Sequence, residues 1–274
     1  MSNIRGSIAL SIAVLALSGI SAGAADLYGG SAKDGYVPAY AAPSAPSSWY
    51  VRIDGSYSHY DDPIMVEDHI YDLVDTGIGN TWAIGGGVGR YLGNGFRMDV
   101  TYEHRFEADA TGFLDNHYAD LNGTREFGLK SNLLLANLYY DFNQGGRFSP
   151  YLGVGLGYVR HETTPGVVVG DCGCDGTIEG EKKGSVAAAL MAGFSVNLTA
   201  GRSEMVSGGS TKDGPVYVTS NRGLLLDIGY RYLYLGDATT GVVRGFGNTV
   251  VSEDPVVENI HAHELRMGLR YNLN

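Results

Sequence analysis

Two short stretches of this chain carry residue types able to do chemistry. Ser58-His59, followed by Asp61-Asp62, puts a hydroxyl, an imidazole and carboxylates close together, the set that activates a nucleophile for hydrolysis. His261 and His263 lie two apart with Glu258 nearby; on an extended segment both imidazoles share one face, the start of a surface metal or haem site. Each stretch also has a plainer reading. The first is a strand running into a polar loop, and the second is a polar pair at a strand end, since two histidines are a weak ligand set. Gly85-Gly86-Gly87 and Gly153-x-Gly155-x-Gly157 look like phosphate loops only in composition. They fall inside strand-like segments with no helix start behind them, so close packing accounts for them better. No catalytic, cofactor-binding or metal-binding residue is assigned from these patterns, and the chain is read as a non-enzyme.

The elements that carry these residues alternate. From Trp49 onward eight segments repeat with period two, the signature of a strand whose faces differ. They are Trp49–His59, Asn80–Leu92, Phe96–Phe106, about Phe127–Phe142, Phe148–His161, Lys183–Leu198, about Gly223–Leu235 and His263–Leu273. In the third, Phe96, Met98, Val100, Tyr102 and Phe106 alternate with Arg97, Asp99, Thr101, Glu103 and Arg105. The sixth is Ala-rich and also compatible with a helix. Gly93-Asn94-Gly95 between the second and third is a hairpin signal. Links 2–3 and 4–5 are short, whereas links 1–2, 3–4, 5–6 and 7–8 are each expected to run to about 20 residues, the loop asymmetry of a membrane barrel. Link 6–7, about Thr199–Arg222, breaks the pattern as either a loop or an extension of its two strands.

The N-terminus explains where such strands would be used. Arg5 precedes an apolar stretch, Ile8 to Ile20, and the small residues Ala22-Gly23-Ala24, so residues 1–24 read as a cleaved signal peptide. Residues 25–48, with Pro38, Pro43 and Pro46 among Ala, Ser and Gly, read as a flexible periplasmic tail. Residues 49–274 then form the barrel. The chain carries 19 Lys+Arg against 30 Asp+Glu, a formal net charge of −11, which argues against a nucleic-acid partner. Cys172 and Cys174, in Asp171-Cys-Gly-Cys-Asp175, are the only cysteines. Export favours a loop disulfide, but a bridge across one residue closes a strained ring, and free thiols or a metal or redox role stay open. Asp171, Asp175 and Glu179 around them do not make a calcium loop.

The charged positions decide between a soluble and a membrane barrel. Arg52, Asp54, Arg97, Asp99, Glu103, Arg105, Asp141, Asp227, Arg231, Glu264, Arg266 and Arg270 fall on one set of faces and the Leu, Val and Tyr residues on the other. Charges of both signs cannot fill a dry interior unless paired. With the apolar faces in lipid and the charges in a narrow lumen, both sets are satisfied. The fold class is therefore all-β: an eight-stranded antiparallel up-and-down transmembrane β-barrel, its lumen closed by ion pairs.

Several segments carry a family resemblance. They are Ala22-Gly23-Ala24-Ala25-Asp26-Leu27, the Ala/Pro tail, Trp49-Tyr50-Val51-Arg52, Pro150 to Tyr158, Asp227-Ile228-Gly229-Tyr230-Arg231-Tyr232 and His263 to Tyr271. Across nearly the whole mature chain the sequence resembles the alphaproteobacterial outer-membrane surface-antigen barrels. These are sometimes described as porin-like and belong to the wider set of small eight-stranded barrels similar to the OmpA transmembrane domain. The resemblance implies an integral outer-membrane protein, with long loops extracellular and termini periplasmic. It implies a role in envelope integrity and surface display, with no cofactor. The partners it suggests are outer-membrane lipid and lipopolysaccharide, the barrel-assembly machinery, and peptidoglycan or periplasmic proteins through the tail. Arg266, Gly268, Tyr271 and Leu273 resemble the terminal assembly signal, although a terminal Phe is lacking and Asn274 follows. The alternative function is a small pore, or a barrel that binds and takes up a haem-like ligand through its loops.

Overall fold

The computed structural model describes residues 49–66, 72–115, 122–143, 147–171, 173, 175–199, 203–206, 216–219, 223–253 and 255–273. The signal peptide, the tail, Cys172 and Cys174 lie outside the described residues. Eight long strands dominate: β1 (Trp49–Tyr60), β2 (Thr81–Gly93), β3 (Phe96–Asp115), β4 (Gly123–Asp141), β5 (Phe148–Thr163), β6 (Lys182–Asn197), β7 (Leu224–Tyr234) and β8 (His261–Asn272). Each pairs antiparallel with its sequence neighbours, and β8 pairs with β1 in the register Tyr50↔Asn272 to Tyr60↔Ala262, so the ring is closed. Closure gives every strand two partners and leaves no barrel edge.

Alternation sets which way each side chain points. Along β1 the burial pattern is strictly exposed–buried, with Trp49, Val51, Ile53 and Tyr57 outside and Tyr50, Arg52, Asp54, Ser56 and Ser58 inside. The Ala-rich sixth segment is strand β6, because it pairs with β5 and β7 along its length. The β2–β3 hairpin turns at Gly93 (φ 88), Asn94 (φ 51) and Gly95 (φ 89), backbone angles that Gly and Asn adopt at least cost. Inward glycines make room for large lumenal groups. A Cβ on Gly153 would meet the Tyr139 ring, and one on Gly89 the Tyr50 ring.

The strands β3 and β4 differ most from the expected spans. They continue as a paired ribbon to Leu114↔Gly123, so the expected long 3–4 loop is largely strand, with residues 116–122 between them. A bulge between Arg105 and Ala108 shifts the alternation there. Beyond it the interior changes character. Ala108, Ala110, Phe127 and Leu129 are buried there, whereas Leu133 and Leu135, paired with Glu103 and Thr101, put two apolar side chains on the inner face below the bulge. Short strands from the long loops cover the region beyond the bulge. Gly166–Gly170 extends β4 sideways and continues through Gly176–Ile178, Val243–Arg244 and Val250–Ser252. Asp72–Ile78 pairs with β3, and Ile64–Val66, Val256–Glu258 and Ala238–Thr239 form a small sheet. Met65, Ile178, Val243, Val257 and Ile260 from these connections join one apolar cluster with the strand residues. This cap fills the long-loop end of the barrel. In link 6–7, Ser203–Val206 pairs with Val216–Thr219 as a separate two-stranded ribbon, not as a continuation of the β6–β7 pairing.

Candidate functional site

The interior between the cap and the short-turn end is lined by charge. All twelve residues expected on the inner face are there and buried, six arginines facing six carboxylates, each as enclosed as the buried apolar residues. They are brought together because each is an even number of residues from its inward neighbours on the same strand.

At the level nearer the cap, Glu264 is the hub. Its two oxygens accept hydrogen bonds from Arg105 Nη1 and Arg231 Nε, and Ser58 Oγ donates to it at 2.8 Å. Arg231 Nη2 also donates to Glu103 Oε1 at 2.6 Å, and Arg105 Nη2 to the Tyr60 hydroxyl at 2.9 Å. Two cations and two anions thus share one dense network, which offsets the desolvation each would suffer alone.

The level nearer the short turns is built from pairs and rings. Arg52 Nε donates to Asp54 Oδ2 at 2.8 Å and its Nη1 to Asp99 Oδ2 at 3.0 Å. Asp99 also accepts from the Tyr50 hydroxyl at 3.0 Å and from Asn137 Nδ2 at 2.7 Å. Arg97 Nε donates to Asp141 at 3.0 Å, while its guanidinium lies 3.9 Å from the Tyr139 ring centre. Arg270 Nη2 donates to Ser195 Oγ at 2.8 Å and to Asp227 Oδ1 at 3.1 Å, with its guanidinium 5.3 Å from the Tyr50 ring centre. Such cation–π contacts are strongest when desolvated. The role of Tyr50 and Tyr139 was legible only in part: both fall in phase with the charges, but the stacking follows from cross-barrel proximity.

Arg266 sits between the two levels, with Nη2 at 3.6 Å from Asp54 Oδ2 and 3.7 Å from Glu103 Oε2, both beyond hydrogen-bond range. Its Nε, together with Arg270 Nε and Nη1, has no hydrogen-bond partner among the described residues.

The expected chemical groups separate. Ser58 points inward onto Glu264, while His59 points outward, its Nδ1 2.7 Å from Asn80 Oδ1. Consecutive strand residues face opposite sides, so the pair cannot act as nucleophile and base. His261 and His263 both project from the outer wall among Tyr230, Tyr232 and Tyr234. The Tyr232 and His261 rings stack at 14°, and His263 Nε2 lies 3.1 Å from Asp61 Oδ1. Among the described residues no group of three His, Cys, Asp or Glu could hold a metal ion. A Ser–His pair that sequence reasoning missed lies at the base of the cap: Ser131 Oγ is 2.7 Å from His161 Nδ1, and His161 Nε2 donates to the Leu235 carbonyl at 2.9 Å. Ser131 and His161 are buried within the wall and cap, so the pair is a clamp joining β4, β5 and the chain after β7.

No family model matches the chain. Uncharacterized proteins of Brucella abortus and Brucella melitensis are 25% identical over 270 residues, covering 83% of this chain and 85% of each of theirs. Among solved structures, the neisserial surface protein NspA is 20% identical with a TM-score of 0.43, over 84% of this chain and 99% of that one. The outer membrane protein OprG from Pseudomonas aeruginosa is 11% identical with a TM-score of 0.45, over 83% of this chain and 98% of that one.

Proposed function

We propose that this chain is an integral protein of a bacterial outer membrane whose barrel serves envelope integrity and surface display, with no catalytic role. The observation that carries the reading is the inverted polarity of the barrel. Val51, Ile53, Met98, Leu152, Val154, Leu190 and Leu265 are exposed on the outside, while six ion-paired arginines are buried inside. In water that distribution would expose apolar surface and bury charge at once; in lipid it satisfies both.

The dimensions agree. On β5 the outward residues run from Phe148 to Tyr158. At about 3.3 Å per residue and a tilt near 45°, they span roughly 24 Å, the height of a lipid-facing band. Aromatic rings mark both borders: Trp49, Phe96, Tyr140, Phe142 and Phe148 near the short turns, Tyr57, Trp82, Tyr102, Tyr158 and Tyr230 near the cap. On this reading the cap is extracellular and the short turns and termini are periplasmic. Residues 1–24 direct export, residues 25–48 form a tail able to reach peptidoglycan or periplasmic proteins, and β8 is presented to the barrel-assembly machinery.

The test is heat-modifiable gel migration of the protein from an outer-membrane fraction. A periplasmic, heat-insensitive protein would overturn the reading. A small pore is the second reading, favoured by nitrogens of Arg266 and Arg270 that have no partner among the described residues and call for water in the lumen. Planar-bilayer recording separates the two: silence fits the capped, ion-paired lumen, and steady steps altered by Arg266→Ala fit the pore.

A further inference from the structure

The outward side of β4, β5 and β6, just above the Tyr158 border, carries a donor-rich patch that the lumen does not explain. Arg160 stands there between Asn132 on β4 and Gly184 on β6, its register partners. Arg160 is exposed and has neither a carboxylate nor a ring partner among the described residues. The two cations above it differ: Lys130 Nζ is 2.6 Å from Glu107 and Lys182 Nζ is 3.0 Å from Glu162.

The neighbours of Arg160 add donors. Asn132 Oδ1 lies 2.7 Å from the Tyr102 hydroxyl and 2.9 Å from His104 Nδ1, so its oxygen is engaged on both sides and its amide N–H groups are left for another acceptor. Gly184 has no side chain, and the Tyr158 hydroxyl occupies the space a Cβ would need there. The Tyr158 ring therefore leans across Gly184, which brings its phenol to the row of Arg160. A guanidinium, an amide and a phenol thus occupy neighbouring positions of one row across β4, β5 and β6, above an apolar wall that includes Leu134, Leu156 and Val186, the last two 67% exposed.

From this geometry we infer that Asn132, Tyr158 and Arg160 bind the phosphate of a lipid headgroup in the outer leaflet, with its acyl chains lying along Leu134, Leu156 and Val186. A guanidinium and hydrogen-bond donors match phosphate oxygens, and only a lipid phosphate arrives with an apolar body to cover the wall below. The inference rests on the outer-membrane reading and names one partner of that wall.

Native mass spectrometry of the detergent-solubilised full barrel tests it, using phosphatidic acid as probe and diacylglycerol and inorganic phosphate as controls. Phosphatidic acid is expected to bind the unaltered barrel and to bind Arg160→Ala about tenfold or more weakly. Arg244→Ala, in the cap, should leave binding unchanged. Diacylglycerol should not bind, and inorganic phosphate at the same concentration should not compete. Equal binding to Arg160→Ala, or full competition by inorganic phosphate, overturns the lipid site. Loss of heat-modifiable migration in the unaltered protein would instead overturn the membrane reading, so the two failures are distinguishable.

Discussion

The barrel wall and the cap are made from the same strands and obey opposite rules. Along β3, Arg97, Asp99, Glu103 and Arg105 face inward and Met98, Val100 and Tyr102 outward; past the bulge, Ala108 and Ala110 face inward and Glu107 and Asp109 outward. On β4, Leu134 and Leu138 are exposed on the wall, whereas Phe127 and Leu129 are buried in the cap with Glu126 outside. Ladder hydrogen bonds run through both regions, so backbone pairing does not distinguish them. The surroundings do: burial is favourable for whichever side chains the outer medium rejects. The cap has the polarity of a small water-soluble core, seated on a barrel with the opposite polarity.

The sharpest way to break this contrast is to remove the hub of the lumen. Glu264→Ala leaves Arg105 and Arg231 without their shared carboxylate and should destabilise the barrel by about 3–5 kcal/mol, measured by urea-induced unfolding in vesicles. A loss below about 1 kcal/mol would mean that the lumen is wet enough to solvate them.

The second test uses the outer wall. Val154 is exposed near the middle of the apolar band. Val154→Arg should cost about 2–4 kcal/mol in vesicles, although the same change on a water-facing strand would be nearly neutral. A neutral result would place the wall in water.

The third test addresses the seam between the regions. Burial pushes the His161 imidazole down to about 4, with the Leu235 carbonyl opposing and the Arg105 charge assisting. The unfolded chain takes up this proton near pH 6.5, the folded one only near pH 4. Stability is therefore fully present above about pH 6.5, falls as pH drops between these values, and levels off below. At pH 5 the loss from this group should be on the order of 2 kcal/mol. Protease protection of the cap, followed against pH, should lose that slope in His161→Asn. The smallest effect belongs to the cap surface, where Glu126→Arg should stay within about 0.5 kcal/mol.

Much of the wall could be read directly. The inward set from Arg52 to Arg270 stands out because charges recur at period two in most wall segments, although apolar runs such as Leu133-Leu134-Leu135 interrupt the pattern. The cap could not be read in the same way. The bulge after Arg105 breaks the phase, and beyond it the inner face turns mostly apolar, Arg125 excepted, so a template of charged-in and apolar-out ended the third strand at Phe106. The short strands of the loops hold only two to seven residues each and are fixed by partners distant in sequence, such as Val257 with Met65. Ser58-His59 shows the converse: adjacency in sequence suggested a shared site, and alternation alone puts the two on opposite sides of a wall. The grouping of Asn132, Arg160 and Gly184 depends on register across three strands, which one-dimensional periodicity does not contain.

The β1–β8 seam has a consequence for how the molecule comes into being. Tyr50 meets Asn272, so the first strand to emerge waits for the last before it gains its second neighbour. The entropy of bringing such distant ends together must be met before that contact returns anything. A chain cut short before β8 would keep β1 and β7 as two open edges, each a template for pairing with another chain. The ring therefore acts as a check on completeness: only a whole polypeptide can hide its own edges, and any fragment advertises itself to proteases and to its neighbours.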